Sequence, residues 1–424
     1  MPRTKILRIP ALGVALGSIA LGSLLAATFT AAPARAEATI LIDADSGKVL
    51  REQNSTYPWY PASTTKLMTL YVTLKAIRDH RITPDTLFTV SRNAYMQAPT
   101  KMGFPIGTQV TVDNALKMLM VKSANDMAVL LAEGVSGSID KFADQMTLTA
   151  QTLGMTESNF VNPNGLPADG QITSARDLAI LARALIRDFP QDSFYWHIPA
   201  IQFGKRVVRN YNPLIGRYPG TDGMKTGFIC ASGFNLVATA TRDNKHLIAV
   251  VLGAPSGAAR SVKAAEMLES GFTSNPLAWL MPSLGTVDQL KPIHTDPPNL
   301  KDEMCGKHRK RPAADDEDEE AGAAEGNGAS TDAAAATDGG STDNNVARSD
   351  ATPHFSVLLS ALRAPSPKNA NLLSVDVPVT PIVVYTGPTR VPGAPVPVEP
   401  SPKIKVAAHT RPKAKPGTKP KAEQ

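Results

Sequence analysis

The order of apolar and polar positions divides the chain into a front part with strong periodicity and a back part without it. "ATILIDADSGKVL" (38–50) alternates as two strands joined by a turn at Asp45-Ser46-Gly47. From Lys66 to Arg78, Leu67, Leu70, Tyr71, Leu74 and Ile77 recur at helical spacing. "DNALKMLMVKSANDMAVLLAEG" reads as two helices meeting around Ser123-Ala-Asn125, and helical patterns follow at Ile139–Leu153 and Ala175–Arg187. "GFNLVATATRDNKHLIAVVLGA" is a pair of β-rich runs joined by a polar turn at Asp243-Asn244, an antiparallel hairpin, and Arg260–Phe272 is helical again. Strand pair, long helical insert, hairpin and closing helix predict an α+β fold, one antiparallel sheet covered by helices, with a helical subdomain.

The two ends carry other signals. Arg3, Lys5 and Arg8 precede an uncharged run from Ala11 to Ala32, and "APARAEA" follows with small residues at Ala34 and Ala36. That layout predicts a secretory signal over 1–36, cleaved after Ala36, and export across the inner membrane to the periplasm. The alternative is an uncleaved anchor, disfavoured by the hydroxyl and small residues in the run and by the Ala-x-Ala site. After the domain at 37–275 and a short connector at 276–290, residues 291–424 turn acidic and Ala/Gly/Ser-rich, then Pro/Lys-rich. Such a composition buries too little apolar surface to offset the entropy of ordering, so this extension is expected to be largely disordered. "FSVLLSALR" (355–363) interrupts it but is too short for a convincing anchor. The basic end could contact a wall or membrane surface, or serve as a solvated spacer.

Composition removes several classes of function. The net charge of +6 is concentrated at the ends, with no basic stripe interleaved with aromatics, which argues against nucleic acid. Seven scattered histidines and two cysteines make no metal-binding spacing, so neither metal nor cofactor is expected. Cys305 lies in a charged segment, and a Cys230–Cys305 bond is not expected.

The chemistry begins at "YPASTTKLMTL", where Ser63 and Lys66 stand three apart at the start of a helix. At that spacing the Lys66 ammonium can reach the Ser63 oxygen. A lysine acts as a base only when burial and a second positive charge favour its neutral form. "TDGMKTGF" supplies that charge in Lys225. Thr226 offers a hydroxyl to a carboxylate, and Gly227 removes a side chain so that an extended substrate can pair along an edge strand. Ser123 and Asn125 supply a relay hydroxyl and an amide. Each motif alone is weak: Ser138-Ile-Asp-Lys141 repeats the first and Ser91-Arg-Asn93 the second.

Ser-x-x-Lys, Ser-x-Asn and Lys-Thr-Gly, in that order, form the constellation of the penicillin-recognising serine enzymes. With "NFVNPNGLP", "TSARDLAILARAL" and "DGMKTGFICASGFNLVATATR", residues 38–272 resemble the low-molecular-mass penicillin-binding proteins, the serine-type D-Ala-D-Ala carboxypeptidases. The resemblance implies a β-lactamase-like fold and peptidoglycan stem peptides as substrates, with β-lactams as covalent inhibitors. It implies Ser63 as nucleophile, Lys66 as base, Ser123 as proton relay, Asn125 as substrate guide and Lys225 as field. Thr226 would hold the terminal carboxylate, with Arg260 assisting, and the backbone N–H groups of Ser63 and Phe228 would form the oxyanion hole. Phe228 stands where relatives often carry a polar residue. The same site would serve a DD-endopeptidase or a serine β-lactamase, although no Leu-Asn dipeptide marks a class A deacylating loop. A non-catalytic wall-binding or β-lactam-sensing protein is the remaining alternative. No Gly-x-Ser-x-Gly elbow supports a Ser-His-Asp hydrolase.

Overall fold

The computed structural model describes residues 37–273, 282–307, 372–374 and 378–389. The signal reading at 1–36, "FSVLLSALR" and the Pro/Lys end lie outside the described residues. Strands β1 (Ala38–Asp43) and β2 (Val49–Gln53) open the chain, and α1 (Lys66–Arg78) follows a 3₁₀ turn at Ala62–Thr65. The helical insert comprises β3 (Leu87–Thr89), α2 (Arg92–Tyr95), β4 (Gln109–Thr111), α3 (Val112–Val121), α4 (Asn125–Ser136), α5 (Ile139–Leu153), α6 (Ala175–Asp188) and α7 (Phe194–His197). Next come the hairpin of β5 (Ala200–Phe203) and β6 (Arg206–Arg209), then β7 (Thr221–Ile229), β8 (Gly233–Arg242), β9 (Lys245–Ala254) and α8 (Gly257–Phe272). The short α9 (Lys301–Cys305) and β10 (Ile382–Val384) belong to the part read as an extension.

The main sheet runs β2-β1-β9-β8-β7, every pairing antiparallel, with β7 at an edge. Alternation along a strand sends successive side chains to opposite faces, and here both faces are covered. Ile40, Ile42, Val237, Ile248, Val250 and Leu252 join a core with α1, α3, α4 and α6. Leu41, Leu236, Ala238, Leu247, Ala249 and Val251 join a second core with Ala264, Ala265 and Leu268 of α8. Burial on both faces explains why "LIAVVLGA" has no polar alternate positions. Among the described residues no helix is long and apolar enough to cross a membrane.

Two features correct the sequence reading. Cys230 and Cys305 are disulfide-bonded, their Cα atoms 5.7 Å apart. The charges of "KDEMCGK" mask an i, i+4 apolar pair: Leu300 and Met304 are both buried, and the Leu300 N–H donates to Ala231 O at 3.0 Å. That docking brings Cys305 to the end of β7. Similarly, the stretch read as a disordered tail contributes β10, which pairs in parallel with β5 through Ile382–Ile201, Val383–Gln202 and Val384–Phe203. Val384 is buried in the helical core.

Candidate active site

The turn carrying Ser63 is held by Asn235 on one side and Gly165 on the other. Asn235 on β8, fully buried, donates its amide to Tyr60 O (2.9 Å) and Pro61 O (3.2 Å). Ala62 adopts φ 49°, a left-handed conformation that strains a residue with a Cβ, immediately before the nucleophile. Gly165 presses against Ala62 from the other side. A Cβ there would stand 1.8 Å from Ala62 O, and its φ of +83° independently favours glycine.

Lys66 is fully buried at the first position of α1. Its ammonium donates to Ser63 Oγ at 2.9 Å, Asn125 Oδ1 at 2.8 Å and Asn164 O at 2.7 Å. Three acceptors in this arrangement fix the Nζ position, so the base stands in hydrogen-bonding reach of the proton it would take. Asn125 begins α4, and Ser123, with φ 59°, makes the sharp α3–α4 corner. The Asn125 side-chain amide donates to Ala98 O (2.9 Å) and its backbone N–H to Thr100 O (2.8 Å), so the 98–104 loop grips the residue. Asp126 next to it accepts from Met102 N and Gly103 N. Burial pushes its carboxyl above the usual range, while the Gly103, Met102 and Met127 N–H groups pull it down.

Ser63, Thr100, Ser123, Asn125, Tyr211 and Phe228 line one cleft, together with Gly165 and Leu166. Lys225 and Thr226, both buried, precede Gly227 on β7, and the Lys225 ammonium donates to Thr226 O at 3.3 Å. Gly227 meets a packing need that the sequence did not suggest. A Cβ there would lie 2.7 Å from Ser63 N and 3.0 Å from Thr64 N, so the absent side chain makes room for the nucleophile's own backbone. Phe228 stacks on Phe234, ring centroids 4.3 Å apart. Arg260 is neither exposed nor among the residues lining the cleft. It is 2% exposed, donates to Asn235 O at 3.2 Å and lies over the Phe234 ring.

The two repeated motifs turn out to be helix caps. Ser138 accepts from Lys141 N and Ser91 from Ala94 N, each satisfying an otherwise orphaned donor of a first helical turn. Ser63 makes no such bond. Sequence reasoning missed Asn164, whose carbonyl holds Lys66, and Gly165, although "NFVNPNGLP" had marked the stretch without giving it a task. Tyr211 was missed as well; no periodic or motif signal points to it.

The model of the D-alanyl-D-alanine carboxypeptidase family matches residues 26–256, over half of the chain. The chain belongs to this family. The D-alanyl-D-alanine carboxypeptidase DacA of Haemophilus influenzae is 36% identical over 244 residues, covering 56% of this chain and 62% of the relative. DacC of Escherichia coli is 37% identical over 244 residues, covering 56% and 61%. The match thus spans less than two thirds of these curated relatives. Penicillin-binding protein 5 of Haemophilus influenzae superimposes with a TM-score of 0.54 at 36% identity, over 56% of this chain and 71% of that one. Penicillin-binding protein D2 of Listeria monocytogenes, solved with cefotaxime bound, gives 0.51 at 28% identity, over 56% and 96%. Within this carboxypeptidase family the fold is the penicillin-binding-protein one, an antiparallel sheet with helices on both faces. Among the described residues no group of His, Cys, Asp and Glu could hold a metal ion.

Proposed function

We propose that this protein is a serine DD-carboxypeptidase, removing the terminal D-alanine of peptidoglycan stem pentapeptides. The 2.9 Å bond between Lys66 Nζ and Ser63 Oγ, with Asn125 on the same nitrogen, carries this reading. Ser63 Oγ attacks the carbonyl carbon of the penultimate D-alanine as neutral Lys66 takes its proton. The oxyanion forms between the backbone N–H groups of Ser63 and Phe228, where fixed donors stabilise developing charge. The C–N bond then breaks, and the departing amine receives a proton through Ser123, leaving an acyl ester on Ser63. Water hydrolyses that ester and regenerates the serine.

Thr226 receives the terminal carboxylate in this scheme, Lys225 supplies the positive field, and Asn125 orients the scissile amide. Arg260 supports the carboxylate site at a distance, through Asn235 and strand β8. A β-lactam ring presents the same carbonyl and carboxylate, which makes it a covalent inhibitor. The leader-like first 36 residues support export to the periplasm, where the Pro/Lys end would have an anionic wall or membrane surface to meet.

The test supplies a free pentapeptide stem and a D-Ala cross-linked dimer side by side. The expected result is release of free D-alanine from the pentapeptide, faster than cleavage of the dimer. Faster dimer cleavage would make the protein an endopeptidase, and no turnover of either would remove the enzymatic reading.

A further inference from the structure

The part of the chain read as a tail returns to the helical lobe and docks there as a strand on β5. Beyond the β10–β5 pairing, Tyr385 N donates to Asn114 Oδ1 at 3.1 Å on the first turn of α3. Gly387 N donates to Gln109 O at 2.7 Å on β4, and the Thr389 hydroxyl bonds to Asp85. Twelve consecutive residues (378–389) therefore span β5, α3, β4 and the loop before β3. Main-chain pairing plus one buried side chain is the general means by which an extended peptide is held on a sheet edge.

The docked strand connects to the cleft through contiguous contacts. Val384 pairs with Phe203, and the Phe203 ring packs on Phe104 with centroids 5.2 Å apart. Phe104 closes the 98–104 loop, the same loop whose Ala98 and Thr100 carbonyls hold Asn125 and whose Met102 and Gly103 N–H groups hold Asp126. From the other end of β5–β6, Asn210 N returns to Pro199 O, and Tyr211, in the cleft wall, donates its N–H to Val121 O.

We infer that residues 378–389 are a positioning strap: a strand the protein supplies to its own β5 edge, which sets the 98–104 loop and through it Asn125. The inference rests on the acylation chemistry proposed above. Val384 and Tyr385 are its two anchors, one by burial and one by its N–H. The β5 edge with the first turn of α3 is accordingly a docking site for an extended apolar peptide, filled here from within the chain. The strap acts through packing and never touches substrate, so its loss slows acylation without removing the nucleophile or the base.

The test uses the full chain carrying Val384→Asp, which expels the buried anchor, or Tyr385→Pro, which deletes the N–H donated to Asn114 together with the phenol ring and fixes the backbone φ. Acylation by a fluorescent penicillin and amide hydrogen exchange are measured together. Both variants are expected to speed exchange across 98–104 and slow acylation about tenfold, within the range such couplings reach. A synthetic peptide of residues 378–389 added to Val384→Asp should restore both. Should Val384→Asp fail to fold, Tyr385→Pro decides the matter alone. Faster exchange at 382–384 with unchanged exchange at 98–104 and acylation within twofold of the parent would overturn the strap. Absence of acylation in the parent chain would count against the proposed function instead, and the exchange arm would still decide the strap.

Discussion

Replacing Lys66 by methionine is expected to slow acylation of Ser63 by about 10²–10⁴-fold, the range over which a positioned base contributes. Methionine keeps most of the volume of a side chain that is wholly buried at the start of α1, and removes only the amine. The loss has two parts. The amine 2.9 Å from Ser63 Oγ, which in its neutral form takes the serine proton in the proposed scheme, is gone. In addition, Asn125 Oδ1 and Asn164 O lose the donor that satisfied them at 2.8 Å and 2.7 Å. A buried acceptor left unsatisfied costs about 1–3 kcal/mol, so the variant should also be less stable. Stopped-flow acylation on the folded fraction separates the two parts. If Lys66 were only a structural donor, Lys66→Met would melt earlier yet acylate within tenfold of the parent.

Gly227→Ala is expected to lower acylation by about 10²-fold, because a shift near 1 Å in a reacting group has that order of effect. The added methyl would meet Ser63 N at 2.7 Å and Thr64 N at 3.0 Å, and neither is a side chain that can swing aside. The turn is held on its remaining sides by Asn235 and Gly165, so it has little room to retreat. Overpacking of this kind also destabilises, typically by about 1–3 kcal/mol. The substrates tested distinguish the two explanations of this glycine. A defect beneath Ser63 slows a small β-lactam and a long stem peptide alike. If the glycine serves strand pairing with substrate instead, the peptide alone will suffer.

Much of this arrangement could be read before any coordinates. Periodicity placed α1 and α5 at their observed bounds: α5 shows an amphipathic stripe, while α1 is apolar at helical spacing and buried nearly all round. Helical spacing brought Lys66 to Ser63, and the family resemblance, rather than spacing, placed Asn125 in the same site. What escaped the reading depends on tertiary contact. The bond between Cys230 and Cys305 joins residues 75 apart in sequence, and its cause is an apolar pair hidden among charges. Strand β10 has three residues flanked by prolines and glycine, too short for any period to register, and it becomes a strand only because β5 offers an edge. The packing demand on Gly227 escaped for a related reason. Sequence shows that a side chain is absent, whereas only the packing of β7 against the 62–65 turn shows what occupies the space. Arg260 followed the same pattern: its position early in α8 was consistent with exposure, yet Asn235 and Phe234 enclose it.

The most direct test of the account is to incubate the purified protein with a penicillin, digest it and map the modified peptide by mass spectrometry. The account predicts one covalent adduct of intact penicillin mass, on the peptide containing Ser63, and its absence in Ser63→Ala. An adduct on any other residue, or an unmodified chain under conditions where the fold is intact, would contradict it.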